Sequence, residues 1–115
     1  VIVHQLDEVS DAKRYFKKVW YTYNPDDYAR IYKQFDVIVS SRLHGAIFGM
    51  AWGKPAFLID TGSKRCQDAA PQVPLMEFCG PDQVIDKINR LDIDVRSREI
   101  VDFIARKKQE YQEML

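Results

Sequence analysis

The sequence has few of the features that would place a protein at a glance. Its 115 residues contain no apolar run of the roughly 18 residues that a membrane span needs, so no span is expected. Charge of one sign is missing too: 17 basic residues balance 17 acidic ones. The basic surface that nucleic-acid binding requires is therefore not expected. Cysteine is scarce. Cys66 and Cys79 are too few for a disulfide framework or a cysteine metal site, and each reads as a small apolar side chain in a reducing compartment. No metal and no cofactor is expected. Five glycines and five prolines are scattered without low-complexity segments or repeats. What remains is 46% apolar residues among evenly mixed charges, the composition of one globular domain with its own core.

Apolar spacing divides the chain into alternating elements. Residues 1–3 read as a short buried strand ending at His4. Ser10 is placed to cap a helix whose face is Ala12, Tyr15, Phe16 and Val19. Residues 20–23, aromatic and β-branched, read as a strand. Asn24, Pro25, Asp26 and Asp27 form a helix start, with a capping side chain, a proline at the first helical position and acids in the first turn. Tyr28, Ile31, Tyr32 and Phe35 continue that helix, and residues 36–41 form the next strand.

The segment 44–52 is apolar nearly all round and predicts a buried helix, with Gly45 and Gly49 one turn apart for close packing on a sheet. Residues 55–59 are a strand, 60–74 a long loop, and 75–78 a short strand. A helix opening at Gly80-Pro81-Asp82 carries Val84, Ile85, Ile88 and Leu91 on one face. A last helix from about residue 97 turns Ile100, Val101, Ile104 and Tyr111 inward. This alternation predicts an α/β fold, a Rossmann-like doubly wound parallel sheet, with at least four parallel strands within residues 1–60.

The chemistry concentrates after the strand at residues 36–41. Two hydroxyls (Ser40, Ser41), Arg42 and His44 precede Gly45 and the apolar helix. Open α/β sheets bind ligands at the carboxyl ends of their strands. A helix start adds free N–H groups and a positive dipole end. Arg42 fits either an ion pair with Asp60 or a two-pronged grip on a phosphate or carboxylate. A histidine before an apolar helix is either a cap or core residue, or a group that holds and releases a proton near neutral pH. Ser41, with Ser40, Thr61 and Ser63, could donate to a phosphate oxygen or cap a turn. For His4 and Asp7 a turn role is expected, and for Trp20 and Trp52 packing.

The run from Phe35 to Ile59, with Ser-Arg-Leu-His-Gly at residues 41–45 and Gly-Lys-Pro at 53–55, followed by the loop Asp60-Thr61-Gly62-Ser63-Lys64-Arg65, resembles the polysaccharide pyruvyl transferases. The resemblance is strong over residues 35–65, fair before them and weak after 75. It implies phosphoenolpyruvate as donor and a glycan acceptor, free or lipid-linked. Pyruvate is joined to two sugar hydroxyls as a ketal while phosphate leaves. The implied roles are proton transfer by His44, as acid or base, and donor binding by Arg42, Lys64 and Ser41, with Arg65 standing in if Lys64 points away.

The resemblance further implies that residues 1–115 are one Rossmann-like domain, the C-terminal, donor-side part of a longer GT-B-like two-domain enzyme. An N-terminal domain, expected upstream of Val1, would supply a further cation and much of the acceptor site. The fragment alone is expected to be inactive. The location implied is cytoplasmic, beside the inner membrane face where the acceptor is lipid-linked. Two other readings compete: a nucleotide-sugar-binding domain of a GT-B glycosyltransferase, and a non-catalytic interaction domain of the same fold. The first normally brings a glycine-rich diphosphate loop, for which Thr61-Gly62-Ser63 is a weak candidate.

Overall fold

The computed structural model describes residues 1–2 and 4–115, in two compact units, Val1–Gln34 and Phe35–Leu115. Val3, part of the first expected strand, lies outside the described residues.

In the first unit, Ile2 forms an isolated parallel bridge with Trp20, and no strand extends over 20–23. Helix α1 (Glu8–Tyr15) starts after Asp7, so Ser10 lies inside the helix rather than capping it. The expected stripe of Ala12, Tyr15, Phe16 and Val19 does not form. The backbone leaves the helix at Phe16, which is extended (φ −126°, ψ 138°), and a 3.6-residue period ends with the helix that creates it. Tyr15 and Phe16 are exposed.

Helix α2 (Pro25–Lys33) starts where the sequence places it. Asn24 Oδ1 accepts from the Asp26 N–H at 3.0 Å, while Thr22 Oγ1 accepts the Asn24 N–H and donates to Asp27 Oδ2. Tyr28, Ile31 and Tyr32 are its buried side. His4 stacks on the Tyr28 ring at 4.4 Å, and its Nε2 lies 3.1 Å from the Tyr32 hydroxyl. Its setting is an aromatic cluster, where a turn role was expected.

The second unit is built on a parallel sheet of β1 (Ile38–Ser40), β2 (Ala56–Ile59) and β3 (Glu77–Cys79), in the order β1-β2-β3. Helix α3 (Leu43–Ala51) connects β1 to β2. Helix α4 (Lys64–Ala69) and a 3₁₀ turn (Ala70–Gln72) connect β2 to β3. Helices α5 (Val84–Arg90) and α6 (Ile93–Met114) follow.

Side chains alternate across a strand, which assigns the two faces. On one face Val37, Phe57, Ile59 and Cys79 pack with Val84 and Ile88 of α5 and with Leu91, which follows it. On the other, Ile38 meets α3, whose Ala46, Gly49 and Met50 are buried. The contact is close: a methyl group on Gly49 would sit 2.6 Å from Ile38 Cγ1. Helices on both faces of parallel strands agree with a Rossmann-like layer. Fewer strands are formed than expected. Among the described residues of 1–60 there are β1, β2 and the Ile2–Trp20 bridge rather than four strands.

Helix α6 begins earlier than its apolar spacing suggests because Asp92 caps it, Oδ1 accepting the Val95 N–H at 3.1 Å. Its first turns are fixed to the sheet. Ser97 Oγ donates to the Gly53 carbonyl at 2.6 Å. Arg96 Nη1 donates to the Leu75 carbonyl at 2.9 Å and to Glu77 Oε1 at 3.0 Å. Ile100 is fully buried, whereas Val101 and Tyr111, expected inward, are exposed.

Candidate active site at two strand ends

The parallel register pairs Ser40 with Leu58 and Ile59 with Cys79, so the chain leaves β1, β2 and β3 at one carboxyl edge. The first exit is short. Ser40 Oγ accepts the Arg42 N–H at 3.0 Å and donates to the Arg42 carbonyl at 2.7 Å. Arg42 itself is extended (φ −119°, ψ 136°) and is the N-cap residue of α3. Its carbonyl accepts the Ala46 N–H at 3.3 Å, which starts the helical ladder. His44 is the second residue of α3. Ser41, Arg42 and His44 are all exposed.

The second exit is longer. Asp60 donates its N–H to the Cys79 carbonyl at 2.8 Å, which holds it beside the end of β3. Its Oδ1 accepts from the Gly62 N–H at 2.9 Å and from Gln67 Nε2 at 3.2 Å. The first of these bonds is a side chain closing its own turn two residues on. Gly62 has φ +87°, a conformation suited to glycine. Ser63 then caps α4, Oγ accepting the Cys66 N–H at 3.4 Å. Lys64 and Arg65 are thus the first two residues of a helix, both exposed. The 60–74 loop is more ordered than its sequence suggests, with a helix and a 3₁₀ turn inside it.

The five candidate residues therefore fall into two groups at neighbouring strand ends: Ser41, Arg42 and His44 after β1, Lys64 and Arg65 after β2. Two candidates have local tasks. Ser63 is a helix cap, and Ser40 is bonded at both ends to Arg42. Asp60 Oδ1 serves its own loop. Gln67, which the sequence reading did not single out, ties α4 back to Asp60. The signal for it is an acid two residues before a glycine, with an amide one turn into the following helix.

Clear shifts in acidity lie away from these exits. Burial pushes the Tyr32 phenol up, and Tyr28 adds to the effect. Burial also pushes the Cys79 thiol up, with Lys87 opposing and Glu77 and Asp82 reinforcing. An open groove of about 510 Å³, lined by Leu75, Glu99, Asp102, Ala105 and Arg106, runs beside α6. Leu75 precedes β3, on the amino-terminal side of that strand, so the groove is not formed by the exits. Among the described residues no three His, Cys, Asp or Glu side chains gather as metal ligands. No described helix is long and apolar enough to cross a membrane.

Fold and strand edge together define a parallel α/β protein with cationic side chains where such sheets take their ligands. The family model described as polysaccharide pyruvyl transferase matches residues 2–63, more than half of the chain, and the chain belongs to that family. The family is one of transferases in polysaccharide biosynthesis, which implies a glycan acceptor. No curated protein and no solved structure matches the chain significantly. The whole of the first exit lies within the matched residues. The second is matched only as far as Ser63, one residue short of Lys64.

Proposed function

We propose that this chain is the donor-side part of a pyruvyl transferase that takes phosphoenolpyruvate as donor and places its pyruvyl group on a glycan as a ketal. The observation that carries the reading is the pairing of two neighbouring strand exits, one bearing Arg42 and His44 and the other Lys64 and Arg65.

The reaction needs two things from the protein. The donor carries a carboxylate and a phosphate, and both need compensating charge. Arg42, with its planar fork, grips one of these groups through two parallel hydrogen bonds. Lys64, with Arg65 as its neighbour, acts as a point charge on the phosphate, and the Ser41 hydroxyl donates to one of its oxygens.

The second need is proton movement. One sugar hydroxyl gives up its proton and adds to C2 of the enol phosphate, while C3 gains a proton and becomes the methyl group. A second hydroxyl then displaces phosphate from C2, closing the ketal and releasing its proton. His44, on the first turn of α3, carries one of these protons. Acceptor binding and a further cation come from a second, N-terminal domain in a GT-B-like arrangement, and residues 1–115 alone are expected to give no turnover. The donor chemistry suits a cytoplasmic enzyme, working beside the membrane where its acceptor is lipid-linked.

A thermal-shift comparison on the intact enzyme tests the reading. Phosphoenolpyruvate should raise the unfolding midpoint, as a ligand that binds only the folded state does. UDP- and GDP-sugars should not. A shift with a nucleotide-sugar and none with phosphoenolpyruvate would replace this reading with that of a glycosyltransferase. No shift with any of them would favour an interaction domain.

A further inference from the structure

We propose that Ser40 is a positioning residue, one that sets the Arg42 backbone for donor binding without touching the donor. The inference rests on the reading of Arg42 as a donor-binding residue. A serine hydroxyl has one proton to give and two lone pairs. In Ser40 the proton goes to the Arg42 carbonyl at 2.7 Å, and a lone pair takes the Arg42 N–H at 3.0 Å. The hydroxyl therefore has no proton left for a phosphate oxygen.

What the two bonds do is hold residue 42 from both sides. Ser40 is the last residue of β1, and its backbone is held by the sheet. Arg42 is the residue at which extended backbone gives way to α3. Its carbonyl is shared between the Ser40 hydroxyl and the first helical N–H, that of Ala46. Both peptide planes flanking the Arg42 Cα are thereby referred to the end of β1, and the guanidinium projects from that fixed point. A planar fork that must meet a planar or tetrahedral anion with two bonds is sensitive to the direction from which it starts.

The test uses the full-length enzyme and phosphoenolpyruvate as the probe, with Ser40→Thr and Ser40→Val compared. These variants have nearly the same shape, both suit a strand, and only Thr keeps the hydroxyl. Ser40→Thr should bind phosphoenolpyruvate within about twofold of the parent. Ser40→Val loses both bonds and should bind it roughly 5- to 10-fold more weakly, on the order of what a lost hydrogen bond is worth. Its unfolding midpoint should stay close to that of Ser40→Thr.

Arg42→Ala, alone and combined with Ser40→Val, completes a double-mutant cycle. If Ser40 acts through Arg42, the valine variant adds nothing once the guanidinium is gone. Equal affinities for the Thr and Val variants, with Arg42→Ala weakened, would overturn the positioning role and leave the donor-site reading standing. So would a valine penalty that persists in the Arg42→Ala background. Parent-like affinity in Arg42→Ala itself would overturn the donor-site reading, and the positioning role with it.

Discussion

The two strand exits solve the same problem with different means. After β1 only Ser41 and Arg42 separate strand from helix, and α3 is pressed onto the sheet through Gly49. After β2 four residues intervene, one at positive φ, before a six-residue helix none of whose residues is fully buried. Each exit is closed by a polar side chain at the strand's end, Ser40 in one case and Asp60 in the other. The surroundings differ. Arg42 and His44 stand on a backbone held by the Ser40 hydroxyl and by the packing of α3 on the sheet. Lys64 and Arg65 stand on one fixed by surface hydrogen bonds. A proton-transfer group and a bidentate fork need fixed geometry, because a small misplacement costs rate. A point charge on a phosphate tolerates more movement. The proposed division of labour between the exits matches the rigidity of each.

The largest expected effect lies at the rigid exit. Replacing His44 with Ala in the intact enzyme should cut turnover by roughly 10²- to 10⁴-fold, the usual worth of a positioned acid or base. Donor affinity should change far less, because proton transfer acts in the transition state. Steady-state kinetics over a range of donor concentrations separates the two. Near-parent turnover would leave His44 as a helix-start or donor-contacting residue and remove the chemical difference between the exits.

Next come the cations. Arg42→Ala should weaken phosphoenolpyruvate binding by about 10- to 100-fold, as expected for a charged hydrogen-bonding partner. Lys64→Ala should cost less, roughly 3- to 10-fold, because a point charge makes no paired, directional hydrogen bonds to lose and Arg65 lies beside it. Titration calorimetry with phosphoenolpyruvate would measure both. A Lys64→Ala penalty equal to that of Arg42→Ala would mean that the exit without a packed helix holds its cation as firmly as the packed one.

How much of this was legible beforehand follows from what kind of force sets each feature. The start of α2 is written in consecutive residues, Asn24 to Asp27, and the structure reproduces it bond by bond. The apolar segment after His44 forms the buried helix that its composition predicts, and Gly49 makes the close approach. Local rules also revealed that residues 41–45 and 60–65 follow strands. They misled where the period outlived its element. The Ala12-Tyr15-Phe16-Val19 spacing is helical in sequence, but the helix ends before Phe16. Ser10 looked like a cap, yet the chain turned helical two residues earlier. Residues 60–74 read as loop because α4 has no apolar stripe to betray it. Its start depends on Ser63 and on the bond between Gln67 and Asp60. The placement of the candidate residues at one edge follows from parallel pairing, which a pattern of alternating elements predicts.

The packed exit should also be the more sensitive to an added methyl group. Gly49→Ala would put Cβ 2.6 Å from Ile38 Cγ1 and 2.9 Å from Ile38 Cβ. The second of these atoms cannot rotate away, so α3 or β1 must shift. Overpacking of this kind typically costs about 1–3 kcal/mol. Urea unfolding of the intact enzyme should show the loss, and donor affinity should fall with it, since α3 carries His44 and follows Arg42. Unchanged stability would mean that α3 is not clamped to the sheet, and the contrast in rigidity would go.

Gly62→Ala is the matching change at the second exit, and it isolates a different cost. A Cβ on Gly62 meets nothing within 4 Å, so no steric clash arises. The penalty comes from the backbone alone, because φ +87° is a conformation that side chains with a Cβ rarely adopt. That cost is about 1 kcal/mol for alanine, and asparagine, which tolerates this region better, should lose less. The expected order of stability in urea is therefore Gly, then Asn, then Ala. Because the turn is also held by Asp60 Oδ1, the loss should appear first as faster exchange of the Gly62 amide and only weakly in the global midpoint. An Asn variant no better than Ala would show that the left-handed turn is not what fixes this exit, and the hydrogen bonds from Asp60 would then have to hold Lys64 in place by themselves.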